Sequence, residues 1–561
     1  MRGQLSAAAP TAGGTAPILP PLYPLPLLVI IAAAFAVIAP FFFLGVPSGH
    51  DFEFHLNSWA EVLSQWKQGI LFPRWAALAH YGYGEPRFIF YPPISWLVGA
   101  ALAALLPWAL VPGAFCWIAL TLSGCSMFIL ARRWLGRADA TFAAALYVVN
   151  PYHIVDVYWR SAYAELLTAA LLPFLFLLVL RLDDRKWIIP LGLVVAGACL
   201  TDVPGALMLN YSAGLLLVVL ALSRRWPRIL LYGGLAIFIG MVLSAFFLLP
   251  AIYEQRWINI AQVLSDNVRP RDNFLFAHTA DVGHNQFNRL ISFLVLGQVG
   301  ALALTAFRWR RWAQKLPRIW WLLAAWACAC VLLFFPFTLP AWDYLPKLRY
   351  LQFPWRWLLC LNVALALLVT VAWRRWWPRA LVYGSMLAVL LLAGLRPQTL
   401  WWDSAKDVRD VVNVIPDSSG YEGTDEYTPL RADAYNISQN APLAAFRGRG
   451  SATTRISRWA PESRIFRANT ASAGVLVLQL FNYPAWHVEV NGHTVITGTE
   501  ESTGQMVVPV ESGENRVDIA FTRTPDRLLG SLISAIAAVA LLVIVWFRRR
   551  RMAVTQESLA A

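Results

Sequence analysis

In GHDFEFH, residues 49–55, Asp51, Glu53 and His55 stand within five positions of one another, directly after a run of hydrocarbon side chains. A carboxylate placed where the chain leaves lipid can serve as a general base toward a hydroxyl. An imidazole four residues on lies one helical turn away and can assist or orient it. The plainer alternative is that Asp51 only caps the helix that follows. A second polar group occurs in NPYHIVDVYWRSAYAE, residues 150–165, where Arg160 and Glu165 enter the next apolar run. Acids at that depth are costly and are either functional or paired, so Glu165 is read as ligand-facing or as the partner of Arg160. Asp156 and His153, taken with Asp51, could offer ligands to a divalent cation, which makes Mg²⁺ or Mn²⁺ a candidate cofactor at Asp51 and Asp156, although no spacing here is diagnostic of a metal.

Other segments add arginines and aromatic rings. Arg74 stands in FPRW, and Arg87 and Tyr91 stand in YGYGEPRFIFYPP. Arginine holds phosphate bidentately and aromatic faces suit a sugar ring, whereas an ordinary aromatic belt at the membrane surface would also explain the rings. Glu254 and Arg256 open a later loop, Gln352 and Arg356 lie at a span entrance, and Glu426 and Tyr427 follow the last core span. These residues are candidates for binding a substrate, with solvated surface as the alternative for the loop acids. His487 and His493 read as ordinary surface histidines.

The elements that must position these groups are mostly membrane spans. The chain of 561 residues is 58% hydrophobic and 14% charged, outside the balance of soluble domains. A span needs roughly 17–25 apolar residues. About twelve segments qualify, two of them short: 24–45, 113–131, 139–152, 163–181, 188–202, 204–222, 229–250, 290–307, 319–337, 356–373, 379–395 and 528–547. The Lys and Arg residues that make the net charge +14 cluster between these runs, as in Arg132/Arg133/Arg137, Arg224/Arg225/Arg228 and Arg374/Arg375/Arg379. That is a topology signal and not a nucleic-acid surface. The run 94–106 is too short to cross and is read as interfacial or re-entrant, which puts every basic cluster on one side.

The outer side then holds 46–112, 150–162, the Asp202 turn, 251–289, 338–355 and 396–526. The expected organisation is a cytoplasmic tail (1–23), a transmembrane core (24–395) with a long first outer loop (46–112), a β-rich outer domain (396–526), a final span (527–547) and a basic tail (548–561). Residues 52–69 have helical periodicity and are expected to lie flat on the membrane. GVLVLQL, HVEVNGHTV, QMVVPV and NRVDIAF read as antiparallel strands, with Asn491-Gly492 as a hairpin turn. All six cysteines fall inside apolar runs, which argues against a disulfide framework. The first run is too long for a signal-peptide core.

Taken together, HDFEFH, PRW, YGYGEP, FYPP, Arg160 with Glu165, LQFPWR and GTDEYTP resemble a bacterial integral-membrane family called 6-pyruvoyl-tetrahydropterin synthase-related. The layout is also similar to the GT-C glycosyltransferases. That resemblance implies a GT-C-like helical core and transfer of a sugar from a polyprenyl-phosphate-linked donor in the membrane lipid to a glycan, lipid or protein acceptor outside the bacterial cytoplasmic membrane. By position it implies Asp51 as the catalytic carboxylate and places Arg160 and Glu165 at the second motif of that class; Glu165, and His55 from its place one turn after Asp51, are the further catalytic candidates. The chain departs from the pattern in having Asp202 where histidine is expected and Phe52-Glu53 in place of a second paired acid. Two other classes fit the same residues: a transporter or flippase of lipid-linked sugars, and a non-catalytic scaffold whose β domain binds carbohydrate.

Overall fold

The computed structural model describes residues 23–310, 318–373, 375–395 and 400–560. Most of the tail read at 1–23, part of the basic run 308–318, and Arg374 lie outside the described residues. Among the described residues, seven helices are long and apolar enough to cross a bilayer: Pro24–Leu44, Trp108–Ala131, Tyr163–Leu180, Val203–Arg224, Val282–Arg308, Pro354–Ala372 and Pro525–Arg548. Two further crossings are bent, Arg228–Leu243 with Ala245–Trp257 at 76° and Ile319–Leu332 with Pro336–Tyr344 at 93°. The other expected segments are helical as well, as Arg137–Val148, Ile188–Thr201 and Trp376–Leu395. The 13-residue helix Pro93–Leu105 rises only roughly 20 Å at 1.5 Å per residue, short of a hydrocarbon core of about 30 Å.

Charge sorts the helix ends. Arg379 Nη1 donates to Asp139 Oδ1 at 2.6 Å, Arg185 Nε donates to the Tyr232 hydroxyl at 2.7 Å, and Arg224 pairs with Asp183. The basic loops therefore touch one another at one end of the bundle. Glu165, Asp202 and Arg356 sit at the other ends of the same helices, across from Arg181, Arg224 and Arg375.

Near the C-terminus two antiparallel sheets face each other. One orders Ala444–Gly448, Gly474–Phe481, Gln505–Val510 and Gly498–Thr499. The other orders Ala452–Ala460, Ser463–Thr470, Gly513–Phe521, Trp486–Val490 and His493–Thr494. Alternate residues of both meet in one core that includes Leu476, Leu478, Met506, Phe466, Val488 and Val517, the arrangement of a sandwich. Asn491 and Gly492 have φ of 53° and 82° and join paired strands, as a type I′ turn requires. The sandwich strands begin only at Ala444; the start of the expected β region holds instead the two-residue strand Trp402–Asp403 and the helix Ala405–Asn413, capped by Ser404 and Asp407, followed by loops.

The sandwich rests on the long loop that follows the first span. Trp75, Tyr83, Ile89 and Phe90 belong to its hydrophobic core, and the Phe481 N–H donates to the Tyr83 carbonyl at 3.0 Å. Gly84 is needed there, since a Cβ would lie 2.0 Å from Trp75 Nε1 and φ is +76°. The helix Phe52–Lys67 has the amphipathic periodicity expected of it, but the polar side that the periodicity would turn to water meets protein. Its polar side is buried by protein: Gln65 Nε2 donates to the Trp75 carbonyl at 2.8 Å, Glu61 Oε1 accepts from the Leu78 N–H at 2.6 Å, and Ser58 Oγ accepts from Arg87 at 3.0 Å.

Two buried glutamates tie these layers together. Glu85 accepts from Arg87 Nε at 2.6 Å and from the Thr424 N–H at 2.9 Å, and lies 3.0 Å from His80 Nε2. Glu254 accepts from Arg527 Nε and Nη2 at 2.6 and 2.8 Å, from Thr524 Oγ1 at 3.2 Å and from the Tyr483 hydroxyl at 2.5 Å. The second tie joins a bent crossing, the sandwich and the final span. Removing one partner of such a pair strands a charge without water, so Arg527→Ala is expected to cost about 3–5 kcal/mol. Thermal unfolding of the detergent-solubilised protein reads this as a lowered Tm; an unchanged Tm would rule the tie out as a main support.

Candidate functional site

The two polar motifs are laced together by backbone. The N–H groups of His50 and Asp51 donate to the carbonyls of Trp159 and Arg160 at 3.1 and 2.8 Å, and the Gly49 N–H donates to Ser161 Oγ at 3.0 Å. Gly49 makes this approach possible, because a Cβ there would lie 2.6 Å from the Trp159 and Arg160 backbone. On the partner strand Asp156–Arg160 is wound as a π-turn and Ser161 is left-handed, with φ of 50°, a widened turn of the kind found at functional sites. Asp51 occupies the position of a helix cap, yet its side chain makes no cap hydrogen bond. The capping alternative is therefore not realised, and the carboxylate has no hydrogen-bond partner among the described residues.

Behind Asp51 lies a buried ion network. Arg160 Nη1 donates to Glu165 Oε2 at 2.6 Å, to Asp156 Oδ1 at 2.7 Å and to the Tyr152 hydroxyl at 3.2 Å, and that hydroxyl donates to Glu165 Oε1 at 2.6 Å. Arg356 Nε lies 3.2 Å from Glu165 Oε2, and its Nη1 donates to the Leu351 carbonyl at 3.0 Å. Glu165 is thus both paired and shared between two arginines. Among the described residues, each arginine makes its hydrogen bonds through Nη1 alone. Tyr152 was not singled out from its sequence; its only signal is its place in the 150–165 motif. Asp202 was noted there only as a departure from a pattern.

Tyr91 stands between these groups. Burial, and then the charges of Asp202 and Asp51, hold its phenol well above the usual range, so all three share one electrostatic neighbourhood. The Tyr91 ring packs edge-on against Phe54 at 4.8 Å, and Phe90 stacks on Tyr427 at 6.0 Å. Beside Tyr427, burial and the Glu85 charge push the Glu426 carboxyl up to about 7. His50, passed over in the sequence, packs its ring against Phe287 at 4.7 Å at the mouth of the site.

Other candidates fall elsewhere. His55 is packed among Phe54, Trp59, Tyr91 and Tyr163, and burial pushes its imidazole down to about 4. It is neutral at physiological pH and packs the helix that carries Asp51. Arg87 is engaged by Glu85, Ser58 and the rings of Phe54 and Tyr421, so its guanidinium is not available to a phosphate. Glu254 is consumed by its tie to Arg527. Arg256 is exposed and stacks on Tyr253 at 3.8 Å. Arg74 lies over Phe72 at 4.4 Å, with burial and the nearby Arg527 charge lowering it to about 10.

The donor set does not fit a divalent cation at Asp51 and Asp156. Asp156 Oδ1 is committed to Arg160, two arginine charges stand beside the position, and among the described residues no three His, Cys, Asp or Glu side chains converge.

Asp202 is nearly fully buried and accepts from the Gly205 N–H at 2.7 Å. Burial, then the Glu165 charge, raises it from 3.8 to about 7. The folded state therefore favours its protonated form; this contribution to stability is complete below about pH 3.8 and is lost as pH rises to 7. Asp202→Asn keeps a capping oxygen and removes the ionisation. Unfolding measured from pH 4.5 to 7.5 is expected to show a decline in wild-type stability that is shallower in Asp202→Asn; identical slopes would refute the assignment.

No curated protein matches the chain. Among solved structures it is similar to ArnT from Cupriavidus metallidurans bound to undecaprenyl phosphate, with a TM-score of 0.43 and 17% identity. The match covers 66% of this chain and 63% of that one. Residues 88–401, more than half of the chain, match the family described as 6-pyruvoyl-tetrahydropterin synthase related domain, membrane protein. That span contains Tyr91, Arg160, Glu165, Asp202 and Arg356, and the chain belongs to this membrane-protein family.

Proposed function

We propose that the protein is a membrane glycosyltransferase that moves a sugar from a polyprenyl-phosphate donor to a hydroxyl of an acceptor outside a bacterial cytoplasmic membrane. The observation that carries this reading is the unpartnered Asp51 carboxylate fastened by backbone to the Arg160 segment, with Arg160 and Arg356 converging on Glu165 behind it. A base and a paired-arginine anion site are the two halves that displacement of a lipid phosphate needs. The basic loops gathered at the opposite helix ends support an outward-facing site, since such loops remain cytoplasmic. The resemblance of the motifs to the GT-C plan points the same way.

In this reading Asp51 takes the proton of the acceptor hydroxyl as that oxygen bonds to the anomeric carbon. The bond from that carbon to the phosphate oxygen breaks, and its electron pair leaves with the polyprenyl phosphate. Arg160 and Arg356 stabilise the charge that develops there. A single displacement inverts the anomeric centre. The sandwich, resting on the loop that carries Asp51, roofs the site and holds the acceptor. A second reading, transport of a lipid-linked sugar, draws on the two bent crossings, because broken helices line many transporter sites.

Protein in nanodiscs, incubated with a panel of polyprenyl-phosphate sugars and extracted envelope acceptors, is expected to release free polyprenyl phosphate. Asp51→Asn should lower that rate by about 10²–10⁴-fold, the typical contribution of a general base, with folding unchanged. Undiminished turnover in folded Asp51→Asn would overturn the reading. Movement of donor between leaflets without release would favour the transporter.

A further inference from the structure

Gln352 has φ of 63° and ψ of −55°. The N–H of Phe353 donates to the Leu351 carbonyl at 2.6 Å, so Gln352 is the centre of a γ-turn of the positive-φ kind, which is rare and strained. A side chain held in such a conformation persists only where its surroundings over-determine it, and such places cluster at functional sites. Here both ends of the side-chain amide are used. Gln352 Nε2 donates to the Val263 carbonyl at 2.9 Å, and its Oε1 accepts from Arg356 Nη1 at 3.4 Å. The same Arg356 nitrogen donates to Leu351, the first residue of the turn. The amide is therefore spent inside the protein, and direct contact with a substrate, expected from the sequence, is not its role.

What Val263 belongs to gives the contact its meaning. The segment just before it is stitched to the loop that follows Glu426 and Tyr427. The Asn259 N–H donates to the Thr428 carbonyl at 2.9 Å, the Leu430 N–H donates to the Trp257 carbonyl at 2.7 Å, and Ile258 pairs with Pro429. One side chain thus connects the loop beneath the sandwich to an arginine of the buried network.

We infer that Gln352 is a positioning residue: its strained turn and its two amide bonds fix Arg356 against Glu165 in the orientation that receives a lipid phosphate, and anchor that orientation to the 257–264 segment. The inference rests on the proposed function, and its test separates the two.

Gly adopts positive φ without penalty, so Gln352→Gly removes both amide bonds while relieving the backbone. Binding of undecaprenyl phosphate to the full-length protein in nanodiscs is the readout, together with Tm in the absence of ligand. Wild type is expected to bind. Gln352→Gly is expected to keep or raise its Tm, yet bind about tenfold more weakly, the scale of one hydrogen bond to a charged group. Gln352→Ala should bind at least as weakly, with a lower Tm. In Arg356→Ala, adding Gln352→Gly should weaken binding no further, because the two act through one contact. Wild-type-like binding by Gln352→Gly, or full additivity with Arg356→Ala, would overturn the inference. Failure of the wild type to bind undecaprenyl phosphate would instead remove the proposed function on which it stands.

Discussion

The structure depends on a carboxylate kept at the head of a span without water. Glu165 survives there because two arginines and one phenol share its two oxygens. An isolated ion at that depth would cost several kcal/mol even after relaxation, so Arg160, Arg356 and Tyr152 must be brought to it together. They come from the turn before its own helix and from the entrance of another span, about 190 residues further on. Once that network forms, the Arg160 backbone is fixed, and the Asp51 segment has a rigid edge to bond to.

The same solution recurs twice. Glu85 is held by Arg87, His80 and Thr424, and Glu254 by Arg527, Thr524 and Tyr483. Each combines one guanidinium with neutral or ionisable donors that use the remaining lone pairs, the condition under which a buried pair is tolerable. They differ in what they join. Glu85 locks the loop after the first span to the 424–428 segment, Glu254 locks the sandwich to the membrane domain, and Glu165 alone of the three is shared between two guanidinium groups.

Much of this was legible in the sequence. Hydropathy placed the helices, alternation placed four of the longer strands, and the Asn491-Gly492 pair placed a hairpin. The motifs containing Asp51, Arg160, Glu165 and Arg356 meet as their chemistry suggested. What stayed hidden depends on partners far along the chain: Arg527 lies 273 residues from Glu254 and Thr424 lies 339 from Glu85, and no local pattern announces either. Arg87 and Glu254 therefore read as binding groups. The Phe52–Lys67 helix misled for a related reason. Its periodicity marks a polar face, but Asn57, Ser58, Glu61 and Gln65 are covered by protein instead of water, and periodicity cannot distinguish the two. Ala452–Ala460 is hard to read as a strand because its two arginines, two threonines and one serine mask the alternation of a half-exposed strand.

Val46 and Pro47, which lead into Asp51, form a short antiparallel ladder with Trp402 and Asp403, and Ser48 Oγ donates to Asp403 Oδ1 at 2.9 Å. The polypeptide is made from its amino terminus, so Asp51 emerges hundreds of residues before the strand that braces it. During synthesis the Asp51 segment can meet the Trp159–Ser161 backbone early, whereas the ladder at Val46 and Pro47 closes only after most of the bundle has been made. A ribosome-bound fragment ending before residue 402 would carry Asp51 without the Val46–Asp403 ladder that leads into it.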